Sequence, residues 1–150
     1  MTFVQGSTML VKVPHVLIID DDEINNFIAT KLIDKLPPKA KVTTCLNGEI
    51  GLAYLKSCLL NNLELPDIIF LDLNMPIMNG WEFLDMYENS IKPSLSKDII
   101  INIITSSVYN NDMLKSATYN FVNRFVSKPL NTEILKELFG EINYANHLYS

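Results

Sequence analysis

Four short β-rich segments in this 150-residue chain each end in residues that can do chemistry. "HVLII" is followed by Asp20, Asp21 and Asp22, "DIIFL" by Asp72, "IINII" by Thr105 and "RFVS" by Lys128. If Asp20, Asp21 and Asp72 are packed together they repel one another and resist ionisation unless a cation neutralises them. A few carboxylates plus a main-chain carbonyl, with the remaining positions left to water and phosphate oxygens, form the ligand set typical of Mg²⁺. Lys128 supplies a positive charge for one phosphoryl oxygen, and the Thr105 hydroxyl can donate to another. Together these groups suit in-line transfer of a phosphoryl group to a carboxylate oxygen, a reaction that requires mostly positioning and charge neutralisation.

Taken singly, each residue has a plainer role. Asp72 can cap the turn formed by "LNMPIMNG", and Lys128 can be a solvated surface lysine. Asp22 directly precedes the periodic run "EINNFIATKLIDKL" and is expected to be its helix N-cap rather than a metal ligand. The functional reading rests on all of them falling at successive strand ends.

The elements that must position them follow from the hydrophobic pattern. Strands are predicted over 15–20, 41–46, 67–72, 98–106 and 124–128, several of them nearly continuous apolar runs, as in strands covered on both faces. Between them, Ile24, Phe27, Ile28 and Leu32 recur at helical spacing, as do Leu52, Leu55 and Leu59, and later Ile134, Leu135, Leu138, Phe139 and Ile142. Each set is expected to be the core face of a helix. "WEFLDMYENS" predicts a helix to about Ser90, with Pro93 preventing much continuation. "YNNDMLKSATYN" offers only Met113, Leu114 and Ala117 as a modest apolar face, which predicts a short, loose helix. Alternating strands and helices imply a parallel sheet with right-handed crossovers, and such folds place their sites at the carboxyl ends of the strands. Asp72, on a strand expected to be central, is then the candidate nucleophile, with the Asp20–Asp21 pair beside it for metal.

Composition bounds the alternatives. The length suits one domain, with no separate output domain expected. No apolar run is long enough to cross a bilayer, so no membrane insertion is expected. A net charge of −5 with 12 scattered basic residues argues against direct DNA binding. Cys45 and Cys58 lie in apolar segments without C-x-x-C spacing, and are expected to be buried thiols of a reducing, cytoplasmic compartment. Residues 1–13 read as a flexible lead-in to a domain over 14–150, without the pattern of a secretory signal.

"VLIIDDDEINN", "PDIIFLDLNMPIMNGWEFL", "IIINIITSS" and "FVNRFVSKPL" resemble, in order and spacing, the four signature segments of the receiver domain (CheY-like superfamily) of two-component response regulators. The resemblance covers about residues 14 to 142. It implies a flavodoxin-like, doubly wound α/β fold with strand order 2-1-3-4-5 and helices on both faces. It implies Asp72 as the phosphoacceptor, Asp21 as a direct Mg²⁺ ligand, Asp20 acting largely through water, and the Asn74 main-chain carbonyl as a further ligand. Thr105 matches the switch hydroxyl, Lys128 the phosphate-binding lysine and Phe125 the switch aromatic, where Tyr is commoner. It also implies that the Lys128–Pro129 bond is often cis. The expected donor is a histidine kinase or histidine phosphotransfer protein, and the expected reader another protein. The domain would assist only its own phosphorylation and dephosphorylation.

A rival is a haloacid-dehalogenase-like Mg²⁺-dependent phosphatase with Asp20 as nucleophile. Such enzymes need a further acidic pair on a strand beyond the lysine. Here Glu133, Glu137 and Glu141 recur at spacings of four, which places them along one helix.

Overall fold

A computed structural model describes residues 13–106 and 109–149, with side chains described as far as Ile142. Five strands, β1 (His15–Ile19), β2 (Lys41–Cys45), β3 (Ile68–Leu71), β4 (Ile100–Thr105) and β5 (Val122–Ser127), alternate with five helices, α1 (Glu23–Asp34), α2 (Gly48–Leu60), α3 (Gly80–Ser90), α4 (Asn110–Ser116) and α5 (Thr132–Tyr149). The strands form one parallel sheet in the order β2-β1-β3-β4-β5, the flavodoxin-like arrangement implied by the resemblance.

The unbroken apolar character of β1, β3 and β4 has a direct cause. Alternate residues of each strand enter two separate cores, one on either face of the sheet. Leu17, Ile19, Ile69, Leu71, Ile101 and Ile103 pack with α2 and α3, while Val16, Ile18, Ile68, Phe70 and Ile104 pack with α1 and α5. The predicted faces of α2 and α5 serve these cores: Leu52, Leu55, Leu135, Leu138, Phe139 and Ile142 are buried. Cys45 and Cys58 are buried and free. The helix beginning at Gly80 ends at Ser90, and Pro93 lies in a short 3-10 turn over Lys92–Ser94.

The face expected of α1 is different. Of the expected residues only Leu32 packs, partly buried, against the core; Ile24, Phe27 and Ile28 are 75%, 63% and 51% exposed, and the buried positions are Asn26, Ala29 and Ile33. Both sets have helical spacing, so periodicity does not choose between them. The short Ala29 and Asn26 allow the helix to approach the sheet, and Asn26 finds a backbone partner there. On α4, Met113, Leu114 and Ala117 all face solvent and only Ser116 of the helix is buried. β5 starts two residues before the predicted boundary. Its register slips between Ile101↔Val122 and Asn102↔Arg124, leaving Asn123 as the extra residue of a bulge. Asn123 Nδ2 donates to Asn102 Oδ1 (3.0 Å) and to Glu141 Oε1 (2.9 Å). The lead-in expected over residues 1–13 falls almost wholly outside the described residues.

Candidate functional site

The sheet ladder continues past the strand ends and fixes the site's backbone. Asp20 N donates to Cys45 O (3.0 Å), Asp72 N to Ile19 O (2.9 Å) and Lys128 N to Thr105 O (2.8 Å). Neighbouring strands therefore hold one another's reactive residues in register. The turn after β3 is wedged closed by glycine: a Cβ on Gly80 would stand 2.5 Å from the Asp72 carbonyl oxygen, and Gly80 N donates to Leu73 O (2.9 Å). Asn79 and Glu82 form a reciprocal capping box that starts α3 at this point. The chain after β1 is held similarly. Asp22 is the N-cap of α1, accepting from Asn25 N (3.1 Å), and its own N–H donates to Asp20 Oδ1 (3.0 Å).

Asp20, Asp21 and Asp72 offer carboxylate oxygens that all lie within 4.8 Å of one another, with Asp21 exposed and the other two buried. Burial, and then the neighbouring Asp20 charge, raise the Asp72 pKa, against the opposing effects of Lys128, the Leu73 N–H and a Thr105 side-chain hydrogen bond. Lys128 Nζ lies 2.7 Å from Asp20 Oδ2 and 3.6 Å from Asp72 Oδ2. Burial disfavours its charge, but the hydrogen bond to Asp20 and the Asp72 and Asp20 charges hold its pKa above the ordinary lysine value. One lysine against three carboxylates leaves negative charge uncompensated in a partly buried pocket. The donor set is all hard oxygen, so the cluster fits a divalent cation of the Mg²⁺ type.

Thr105, fully buried, already turns its side chain to Asp72. Phe125 is half-buried against the core shared with α2 and α3, and Asn74 is exposed on the loop after Asp72. The Lys128–Pro129 bond is cis. Asn26 is a site neighbour that the apolar periodicity of α1 concealed. It is buried, and its Nδ2 donates to the Asp20 carbonyl oxygen (2.9 Å). The available signal was a polar residue in the Asn26, Ala29, Ile33 series. Glu137 and Glu141 are engaged on α5 by Arg124, at 3.5 and 3.2 Å, rather than with the cluster. The later acidic pair required by the phosphatase reading is therefore not supplied by these residues.

A small pocket, with room for about 30 Å³, opens beside the cluster between α1 and the segment after β5, lined by Asp20, Asn26, Ile28, Asp72, Lys128 and Leu130 among others. Among the described residues no helix is long and apolar enough to cross a membrane.

The response regulator receiver domain family matches residues 16–139. A two-component response regulator from Cytophaga hutchinsonii has a solved structure that superposes with a TM-score of 0.77 at 30% identity, covering 89% of this chain and 98% of that one. The probable methanogenesis regulatory protein FilR2 of Methanothrix harundinacea (strain 6Ac) is 27% identical over 85% of this chain and 79% of its own length. Hybrid signal transduction histidine kinase L of Dictyostelium discoideum is 32% identical over 82% of this chain but only 7% of its own length. In that comparison the likeness concerns one segment of a much larger protein. A carboxylate cluster with a bridging lysine at the carboxyl edge of a 2-1-3-4-5 sheet suits a phosphoacceptor and switch rather than a classical enzyme, and the chain belongs to the response regulator receiver domain family.

Proposed function

We propose that the domain over residues 14–150 accepts a phosphoryl group onto Asp72 from the phosphohistidine of a histidine kinase or phosphotransfer protein. In the transfer, an Asp72 carboxylate oxygen forms a bond to phosphorus as the phosphorus–nitrogen bond breaks. The imidazole leaves with the electron pair and takes up a proton. The observation that carries this reading is Lys128 Nζ between Asp20 and Asp72, close enough to the acceptor oxygen to meet an incoming phosphoryl oxygen. Thr105 donates to a second oxygen. Asp20, Asp21, Asp72 and the Asn74 main-chain carbonyl would hold Mg²⁺, which supplies charge neutralisation at the transferring group.

The donor docks across α1, where Ile24, Phe27 and Ile28 are exposed and Ile28 lines the pocket that opens onto Asp72. Thr105 and Phe125 carry the event to the surface of α4, β5 and α5, where exposed Tyr109, Met113 and Leu114 await a protein reader. Direct DNA binding forms no part of this reading, and the site of action is the cytoplasm.

Intact-mass measurement after incubation with a small phosphodonor and Mg²⁺ tests the proposal. The chain should gain one phosphoryl group, and Asp72→Asn should gain none. Label retained in that variant and mapped to Asp20 would transfer the nucleophile's role to Asp20.

A further inference from the structure

Very little of α4 is buried, yet it packs beside the start of α3, the helix that follows the turn after Asp72. Of its seven residues only Ser116 is buried, and Tyr109 at the N-cap position contributes no side-chain cap bond. A helix this short has little stability of its own, so its position depends on tertiary contacts.

The contacts on its α3 side are specific. Trp81, the only tryptophan in the chain, lies on the first turn of α3. Lys115 of α4 places Nζ 4.7 Å from the centroid of the Trp81 ring. Tyr119, just beyond α4, stacks on the same indole at 6.0 Å with the planes 20° apart. One turn along α3, Asp85 accepts a 2.7 Å hydrogen bond from the Tyr119 hydroxyl. That hydroxyl, with its pKa raised to about 12 by burial and by Asp85, stays protonated and donating at neutral pH. Tyr119 also meets Phe121 edge-on, and Phe121 meets the buried Tyr87 of α3, which extends the contact inward.

We propose that Trp81 is a latch: with Lys115, Tyr119 and Asp85 it ties α4 and the turn after it to α3, fixing the resting position of α4 and opposing its displacement. The latch is anchored at the site itself, because Trp81 follows Gly80, the residue packed against the Asp72 carbonyl. This regulatory role rests on the switch reading given above, since the latch opposes the movement that phosphorylation of Asp72 would drive. Its structural basis can be tested without phosphorylation.

The test is amide hydrogen exchange on the unphosphorylated full chain, comparing wild type with Trp81→Leu and Lys115→Gln. Stacking and cation–π contacts of this kind correspond to roughly five- to fiftyfold in a local opening equilibrium. Trp81→Leu should speed exchange at residues 113–117 by that factor while leaving β1 and β3 amides unchanged. Lys115→Gln, which leaves the indole in place, should speed the same amides by a smaller factor. Wild-type exchange over 113–117 in both variants would overturn the latch. So would faster exchange spread evenly over the whole domain in Trp81→Leu with no effect of Lys115→Gln, which would make Trp81 an ordinary packing residue. Because no phosphoryl group is involved, either outcome is independent of whether Asp72 is the acceptor.

Discussion

Lys128 is bound more closely to Asp20 than to Asp72: its ammonium lies 2.7 Å from the first carboxylate and 3.6 Å from the second. Before any phosphoryl group arrives, the one lysine of the cluster is thus shared between two buried acids that repel each other. Asp72, raised in pKa chiefly by burial and Asp20, bears the uncompensated share.

That imbalance predicts opposite stability effects from two neutralising substitutions. A buried carboxylate with a raised folded-state pKa costs stability above that pKa, and the cost vanishes as pH falls through it. At neutral pH and without added metal, Asp72→Asn should therefore stabilise the fold by about 0.5–2 kcal/mol. Lys128→Gln should destabilise it, because both acids lose their neutralising partner. Urea denaturation of both variants checks the signs. Equal effects in the same direction would remove charge imbalance as the cause.

Asp21 is the exposed member of the acidic trio, so its side chain can change with little effect on packing. Asp21→Ala should keep its unfolding midpoint, with a stability change within about 0.5 kcal/mol. It should lose Mg²⁺ binding measured by calorimetry. Undiminished binding would show that Asp21 is not a ligand.

Gly80 tests the wedge behind the acceptor. A methyl group there would stand 2.5 Å from the Asp72 carbonyl oxygen and 2.9 Å from the Leu73 Cα, both of them backbone atoms. Gly80→Ala should cost about 1–3 kcal/mol, as overpacking does. It should also slow phosphorylation by a small donor, since relief requires moving the acceptor's own peptide. A destabilised variant with the wild-type phosphorylation rate would separate the two effects and refute the second.

At the opposite end of β1, His15 is fully buried, with Nε2 2.9 Å from Thr43 Oγ1 and 3.4 Å from the Tyr54 hydroxyl. Burial, then Lys41, lower its pKa from the ordinary 6.5, against the opposing charges of Glu64 and Asp67. The unfolded chain therefore takes up a proton before the folded one does. The stability contribution is complete above about pH 6.5 and is lost as pH falls from there through the folded value. The melting temperature should decline between pH 7 and pH 5, with a shallower decline in His15→Gln. Parallel curves for the two proteins would assign the acid sensitivity elsewhere.

Much of this architecture was legible in the sequence because its signals are local. Apolar runs such as "DIIFL" mark strands covered on both faces, and a parallel order of strands and helices brings their carboxyl ends to one edge, which gathers Asp20, Asp21, Asp72, Thr105 and Lys128. Asp22 as an N-cap and the end of α3 before Pro93 depend on neighbouring residues alone, and both were readable. What depends on which surfaces meet was decided only by the tertiary structure. α1 carries two helically spaced series, and the sheet accepts the one with Asn26 and Ala29 because those small side chains fit beneath it and Asn26 can satisfy its amide on the Asp20 carbonyl. The bulge at Asn123, the preference of Lys128 for Asp20, and the Trp81–Lys115–Tyr119 contact likewise join segments distant in the chain. Periodicity states which residues share a face; the geometry of the neighbouring element decides which face is buried.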